Sequence, residues 1–70
     1  MDGKESFYVS IVVHFYVGDE VKFETVRRKS VKIDDDNYLR FERLLSLDKW
    51  ANVVIDMDEN VRYYEVIPED

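Results

Sequence analysis

The stretch Phe7-Tyr8-Val9-Ser10-Ile11-Val12-Val13-His14-Phe15-Tyr16-Val17 constrains the fold more than any other part of the chain. Phe7, Val9, Ile11, Val13, Phe15 and Val17 recur at every second position, and β-branched and aromatic residues at that period mark a strand. The intervening positions read Tyr8, Ser10, Val12, His14 and Tyr16, so both faces are at least partly apolar. Such a strand suits the middle of a sheet better than an edge.

Gly18-Asp19-Glu20 then supplies turn residues, and Val21-Lys22-Phe23-Glu24-Thr25-Val26 alternates again, which makes a first hairpin. A three-residue loop between Val17 and Val21 would set Phe15 against Phe23 and Val13 against Thr25. Continued without interruption, that register brings Arg27 opposite Ile11 and Lys29 opposite Val9, with charge aimed at the core. Two remedies are open. A bulge near Thr25 and Val26 can flip the phase, or the second strand is an edge whose charges reach solvent around the rim.

Ile33-Asp34-Asp35-Asp36-Asn37-Tyr38 reads as a helix start. Asp34 is the expected N-cap, Asp35 and Asp36 favour the positive end of the helix dipole, and Ile33 and Tyr38 have the spacing of a hydrophobic staple. The expected helix runs to about Lys49, with Tyr38, Phe41, Leu44 and Leu45 on one arc and Leu39 and Leu47 well off it. Trp50 to Met57 and Val61 to Ile67 read as a second hairpin around Asp58-Glu59-Asn60, with Asn60 left-handed, Met57 opposite Val61 and Asp56 opposite Arg62.

The expected architecture is therefore α+β, ββαββ: a four-stranded, mainly antiparallel sheet with one helix packed on one face, the first strand central and the second at an edge. Residues 1–70 form a single domain at most, and a domain this small buries only about 60% of the surface its unfolded chain exposes. The chain has no cysteine, which excludes disulfides and thiolate metal sites, and His14 alone cannot anchor zinc. Stability must come from packing or from oligomerisation. The Phe7–Val17 run is too short to span a bilayer as a helix, and Met1-Asp2-Gly3-Lys4-Glu5 lacks the positive n-region of a leader, so the expectation is a cytoplasmic protein with no membrane partner.

Charge is unevenly distributed. Lys22 to Lys32 carries five basic residues and one acid, a local +4 in a chain of net −6, which leaves −10 elsewhere. Within it, Val26-Arg27-Arg28-Lys29-Ser30-Val31-Lys32 has three readings. Lys and Arg guard a sheet edge against strand addition; Arg27, Arg28 and Lys29 meet a protein partner; or the same three residues contact nucleic acid. The overall acidity disfavours nucleic acid. A basophilic kinase motif at Ser30 would be poorly presented within a strand.

Other constellations reduce to structure. Asp34-Asp35-Asp36 and Asp56-Met57-Asp58-Glu59-Asn60 lack the central glycine and terminal glutamate of a calcium loop, and no metal is expected. No nucleophile or acid is tied to His14 by sequence spacing, and no glycine-rich loop could cradle a phosphate. Neither catalysis nor a cofactor is expected.

One helix cannot cover both faces of a sheet. Tyr8, Val12, Tyr16, Val26, Val54 and Tyr64 are expected opposite the helix and form the candidate interface, with tyrosine suited to contacts that are apolar and hydrated at once. The expected function is a small non-enzymatic protein-interaction module, a homodimer through its sheet that binds another protein. Its acidity would steer it towards a basic partner surface. The alternative is a nucleic-acid-binding module using the edge at Arg27-Arg28-Lys29.

Overall fold

The structure, a computed structural model, describes residues 7–69. The leader reading of Met1–Glu5 lies outside that range. Six strands and one 3₁₀ turn follow in order: β1 (Tyr8–Phe15), β2 (Val21–Arg27), the turn Arg28–Ser30, β3 (Lys32–Ile33), β4 (Tyr38–Ser46), β5 (Lys49–Asp56) and β6 (Val61–Pro68). Every pairing is antiparallel, and together they make one curled sheet in which β6 pairs only with β1, and β5 and the two-residue β3 each pair only with β4. No α-helix occurs among the described residues. The expected ββαββ arrangement is thereby corrected to an all-β fold.

The segment read as a helix is strand β4. Period two puts Leu39, Phe41 and Arg43 on the inner face opposite Ile55, Val53 and Ala51, and turns Tyr38, Arg40 and Glu42 outward. Leu39, which the helical arc left over, is fully buried. Asp34 does accept backbone N–H groups as an N-cap would, from Asp36 at 2.9 Å and Tyr38 at 3.0 Å, both through Oδ1. Asn37 diverts the chain. At φ 65° it is left-handed, its N–H donates to Asp34 O at 3.0 Å, and Asp34 N–H donates to Tyr38 O at 3.0 Å, closing a three-residue hairpin loop between β3 and β4.

β1 lies between β2 and β6, the central place its two apolar faces imply. The β1–β2 register begins at Val13↔Val21 and Ile11↔Phe23, so the loop is longer than three residues. It then shifts to Val9↔Val26 and Tyr8↔Arg27. The extra residue falls on β2, where Thr25 takes φ 55°; this bulge keeps Arg27 off the core face. β2 is no edge strand, because Val26 also pairs with Arg43 of β4.

The second expected hairpin is corrected as well. Its turn exists, with Asn60 left-handed at φ 64°, but β5 pairs with β4 and β6 pairs with β1. The turn is held from both sides. Asn60 accepts Val17 N–H through Oδ1 at 3.1 Å and donates Nδ2–H to Val17 O at 2.8 Å, while Asn37 donates to Asp58 Oδ1 at 2.8 Å and accepts Met57 N–H at 3.0 Å. These bonds bring the β3–β4 and β5–β6 turns to the far end of β1, which is how the sheet curls on itself. Val9, Ile11, Val13, Val26, Leu39, Phe41 and Val61 fill the concavity, with the Phe23 and Phe41 rings edge to face at 5.3 Å.

Candidate functional site

Most of the basic run lies off the sheet edges: only Lys32, in the two-residue strand β3 that pairs with β4 alone, sits on one. Arg27 ends β2, and Arg28-Lys29-Ser30 turns the chain from β2 into β3. Arg28 N–H donates to Phe7 O at 2.9 Å, while Ser30 Oγ–H donates to Arg27 O at 2.6 Å and Oγ accepts Glu42 N–H at 2.8 Å. The Ser30 hydroxyl thus fills the gap along β4 between its pairings with β3 and β2. Phosphorylation of Ser30 would remove the hydroxyl proton that it donates to Arg27 O, which adds to the case against the kinase-motif reading.

What the run builds is one side of an aromatic cluster. Tyr8 and Arg27 are register partners on the outer face, and Leu44↔Trp50 puts Trp50 on that face of β5. The Arg27 guanidinium sits 4.0 Å from the centre of the Trp50 ring, the Tyr8 ring stacks on Trp50 at 6.2 Å and 23°, and Arg27 Nη1 lies 3.6 Å from Glu42 Oε1. A cation–π contact of this partly exposed kind contributes about 0.5–1 kcal/mol. Lys49 precedes Trp50 at the start of β5, and Leu47 stands 92% exposed at the β4–β5 turn. At this end Arg27, Arg28, Lys29, Arg43 and Lys49 outnumber the acids Glu42, Asp48 and Glu69.

Acids gather at the other. Asp19, Glu20, Asp35, Asp36, Asp58 and Glu59 lie on the turns that the Asn37 and Asn60 bonds draw together. β1 runs from one group to the other, a separation of about 23 Å at the usual strand rise, well beyond a Debye length of about 8 Å at physiological salt. A chain of net −6 therefore presents a locally basic end. Within the acidic group, the Arg40 guanidinium, hydrogen-bonded to Asp34 Oδ2 at 2.6 Å, holds the Asp34 carboxyl below the usual carboxylate range, helped by the Tyr38 N–H against a small opposing effect of burial.

His14 is occupied on both ring nitrogens. Nε2 lies 2.7 Å from Glu65 Oε1, Nδ1 lies 3.4 Å from Glu20 Oε1, and the ring stacks on Tyr63 at 4.2 Å and 14°. The two carboxylates approach the ring from its two nitrogens, on opposite sides. No group of three or more metal-ligating side chains occurs among the described residues, and no helix there is long and apolar enough to cross a membrane.

The six expected interface residues do not share one face. Tyr8 and Val54 are exposed on the outer surface, and Tyr16 is exposed beyond the end of β1. Val12 is buried on the outer side between its partners Lys22 and Glu65. Val26 belongs to the core and Tyr64 packs against it. Of the basic trio, Arg27 joins the cluster, while Lys29 lines a shallow depression with Lys32, Arg40 and Val54. Trp50 went unnoticed because a helix ending at Lys49 left it at the start of a different element; reading Tyr38–Ser46 with period two would have set it across from Leu44.

No protein-family model matches the chain, and neither curated proteins nor solved structures give a significant match.

Proposed function

We propose that this chain is a non-enzymatic protein-interaction module that self-associates as a homodimer and engages an acidic surface of another protein through Tyr8, Arg27 and Trp50. The observation that carries the proposal is the stacked Tyr8–Trp50–Arg27 cluster. Tryptophan, tyrosine and arginine are the residue types that dominate binding energy at protein interfaces, and here each is held by its neighbours before any partner arrives. The basic partner surface anticipated from net charge alone suits the acidic turns; the aromatic end calls for the opposite sign.

The same cluster supports a second reading, because bases also stack on aromatic rings and guanidinium planes. Acidity of the remaining chain weighs against it, though the acids lie towards the far end.

Affinity capture with the wild type and with Arg27→Ala and Trp50→Ala, followed by titration of the retained protein against the Trp50 fluorescence of the wild type and Arg27→Ala, tests the proposal. The expectation is a partner lost with either variant and kept with Tyr16→Ala. Binding of DNA or RNA that falls steeply with salt and disappears with Arg27→Ala and Arg28→Ala would replace it by the nucleic-acid reading.

A further inference from the structure

The geometry points to the free edge of β6 as the site where a second copy of this chain adds, antiparallel, to make one continuous sheet across a two-fold axis. This deepens the homodimer reading above and rests on it. β6 pairs with β1 on one side and, among the described residues, with no strand on the other. β3 and β5 each pair with β4 alone; β3, at two residues, is too short to template a ladder, and the β5 and β6 edges differ. On β6, apolar side chains on both faces are half exposed: Tyr63 at 47% and Ile67 at 43% outward, Val66 at 44% inward. On β5, Val54 is the one large apolar side chain so exposed, and Lys49 and Asp56 close its ends. A strand half exposed on both faces at once is short of a neighbour.

Edges that stay solitary usually carry lysines, inward charges, proline or a central bulge. β6 has no lysine; its two charges are Arg62, at the shift in register, and Glu65, which faces outward and is engaged by His14, and Pro68 comes only at its last position. Its register with β1 shifts only between His14 and Phe15, next to the first residues of β6. Tyr63 to Ile67 is left as an uninterrupted ladder.

Two constraints narrow the register. Opposed residues must share a face, so the two-fold passes through a residue position rather than between two. An axis at Glu65 would oppose two carboxylates, which is unfavourable. An axis at Tyr64 opposes Tyr64 to its counterpart and Tyr63 to Glu65, the pairs that lie clear of the register shift between Val61 and Tyr63.

Charge supports the antiparallel sense. Pro68 lies beside Val9, at the Tyr8–Arg27 end, and Val61 lies beside Phe15, at the acidic turns. Antiparallel addition brings the basic end of each copy towards the acidic turns of the other, whereas a parallel pair would bring like ends together. The two aromatic clusters then occupy opposite ends of the joined sheet, leaving both free for a partner. A single strand pair buries less than the ~800 Å² per partner of a standard interface, so the dimer should dissociate in the micromolar range and weaken with salt.

The absence of cysteine makes the test direct. Tyr63→Cys and Glu65→Cys, mixed and mildly oxidised, should give a disulfide-linked dimer in higher yield than Val54→Cys on β5 or Tyr16→Cys. Sedimentation of the unmodified chain over a concentration series should show a salt-sensitive dimer that Ile67→Lys weakens by about tenfold or more, with the circular dichroism of the monomer unchanged. A dimer that cross-links at position 54 or 16, or that ignores Ile67→Lys, overturns the β6 edge while leaving self-association intact. A monomer at all concentrations overturns both.

Discussion

One carboxylate organises the β3–β4 turn: Asp34 receives the Asp36 and Tyr38 N–H groups on one oxygen and the Arg40 guanidinium on the other. Because these donors hold its pKa below the ordinary carboxylate value, Asp34 favours the folded state at neutral pH and stops doing so as pH falls through the lowered value. The gap in urea midpoint between wild type and Asp34→Asn should therefore be largest near neutrality and narrow in acid; a constant gap would mean the charge is immaterial. Glu69 performs a comparable task for the bulge. Its Oε2 accepts the buried Ser10 hydroxyl at 2.7 Å and the N–H of left-handed Thr25 at 2.8 Å. Glu69→Ala should cost about 1.5–3 kcal/mol in denaturant unfolding, the range for hydrogen bonds to a charged group, and Ser10→Ala should then add less than its full effect. Arg43 points the other way. Its Nε is buried without a hydrogen-bond partner among the described residues, and its guanidinium lies 5.7 Å from the Phe23 ring centre. Arg43→Met should be neutral or stabilising by about 1 kcal/mol; a clear loss would show that the cation is needed where it lies.

Strand β1 was legible because both of its faces are apolar at a single period, and the bulge in β2 was legible as one of two ways to keep Arg27 off the core. β4 was not, because two periods competed over the same residues. Tyr38, Phe41, Leu44 and Leu45 make an adequate helical arc and Asp34 an adequate cap; Leu39 and Leu47 were left off the arc, of which only Leu39 is buried, and cap chemistry is shared by helices and Asx-type turns. The left-handed asparagine decides between them. Asn37 and Asn60 each supply positive φ and a side-chain tie to another turn, so Asn60→Gly should lose only the Val17 bonds, whereas Asn60→Ala should lose those bonds and suffer the strained φ as well. We expect a difference of about 1 kcal/mol between the two in thermal or urea unfolding; equal effects would remove the backbone part of the argument. Tyr8 and Arg27 were recognisable as candidates by type, but their meeting with Trp50 depends on β4–β5 pairing and could not be read once that segment was taken for a helix.

β6 pairs with β1 across 46 to 59 residues of sequence, and no local pattern announces such a partner. A hairpin to the neighbouring β5 was the shorter connection and the wrong one. The physical consequence concerns order of formation. β3, β4 and β5 are joined by tight turns and close little chain entropy, whereas β6 must find β1 after everything between them is in place. Val61, buried in the core from the first turn of β6, should therefore gain its contacts late, and Leu39 and Phe41 early. Val61→Ala should destabilise the fold by about 1–3 kcal/mol from lost burial and a residual cavity, and the loss should appear chiefly as faster unfolding. Leu39→Ala should instead slow refolding. Chevron plots of the two variants distinguish the orders. If Val61→Ala slows refolding by nearly its whole equilibrium effect, β6 docks on β1 before the meander forms, and closure between the sequence-distant strands, rather than the local turns, sets the fold.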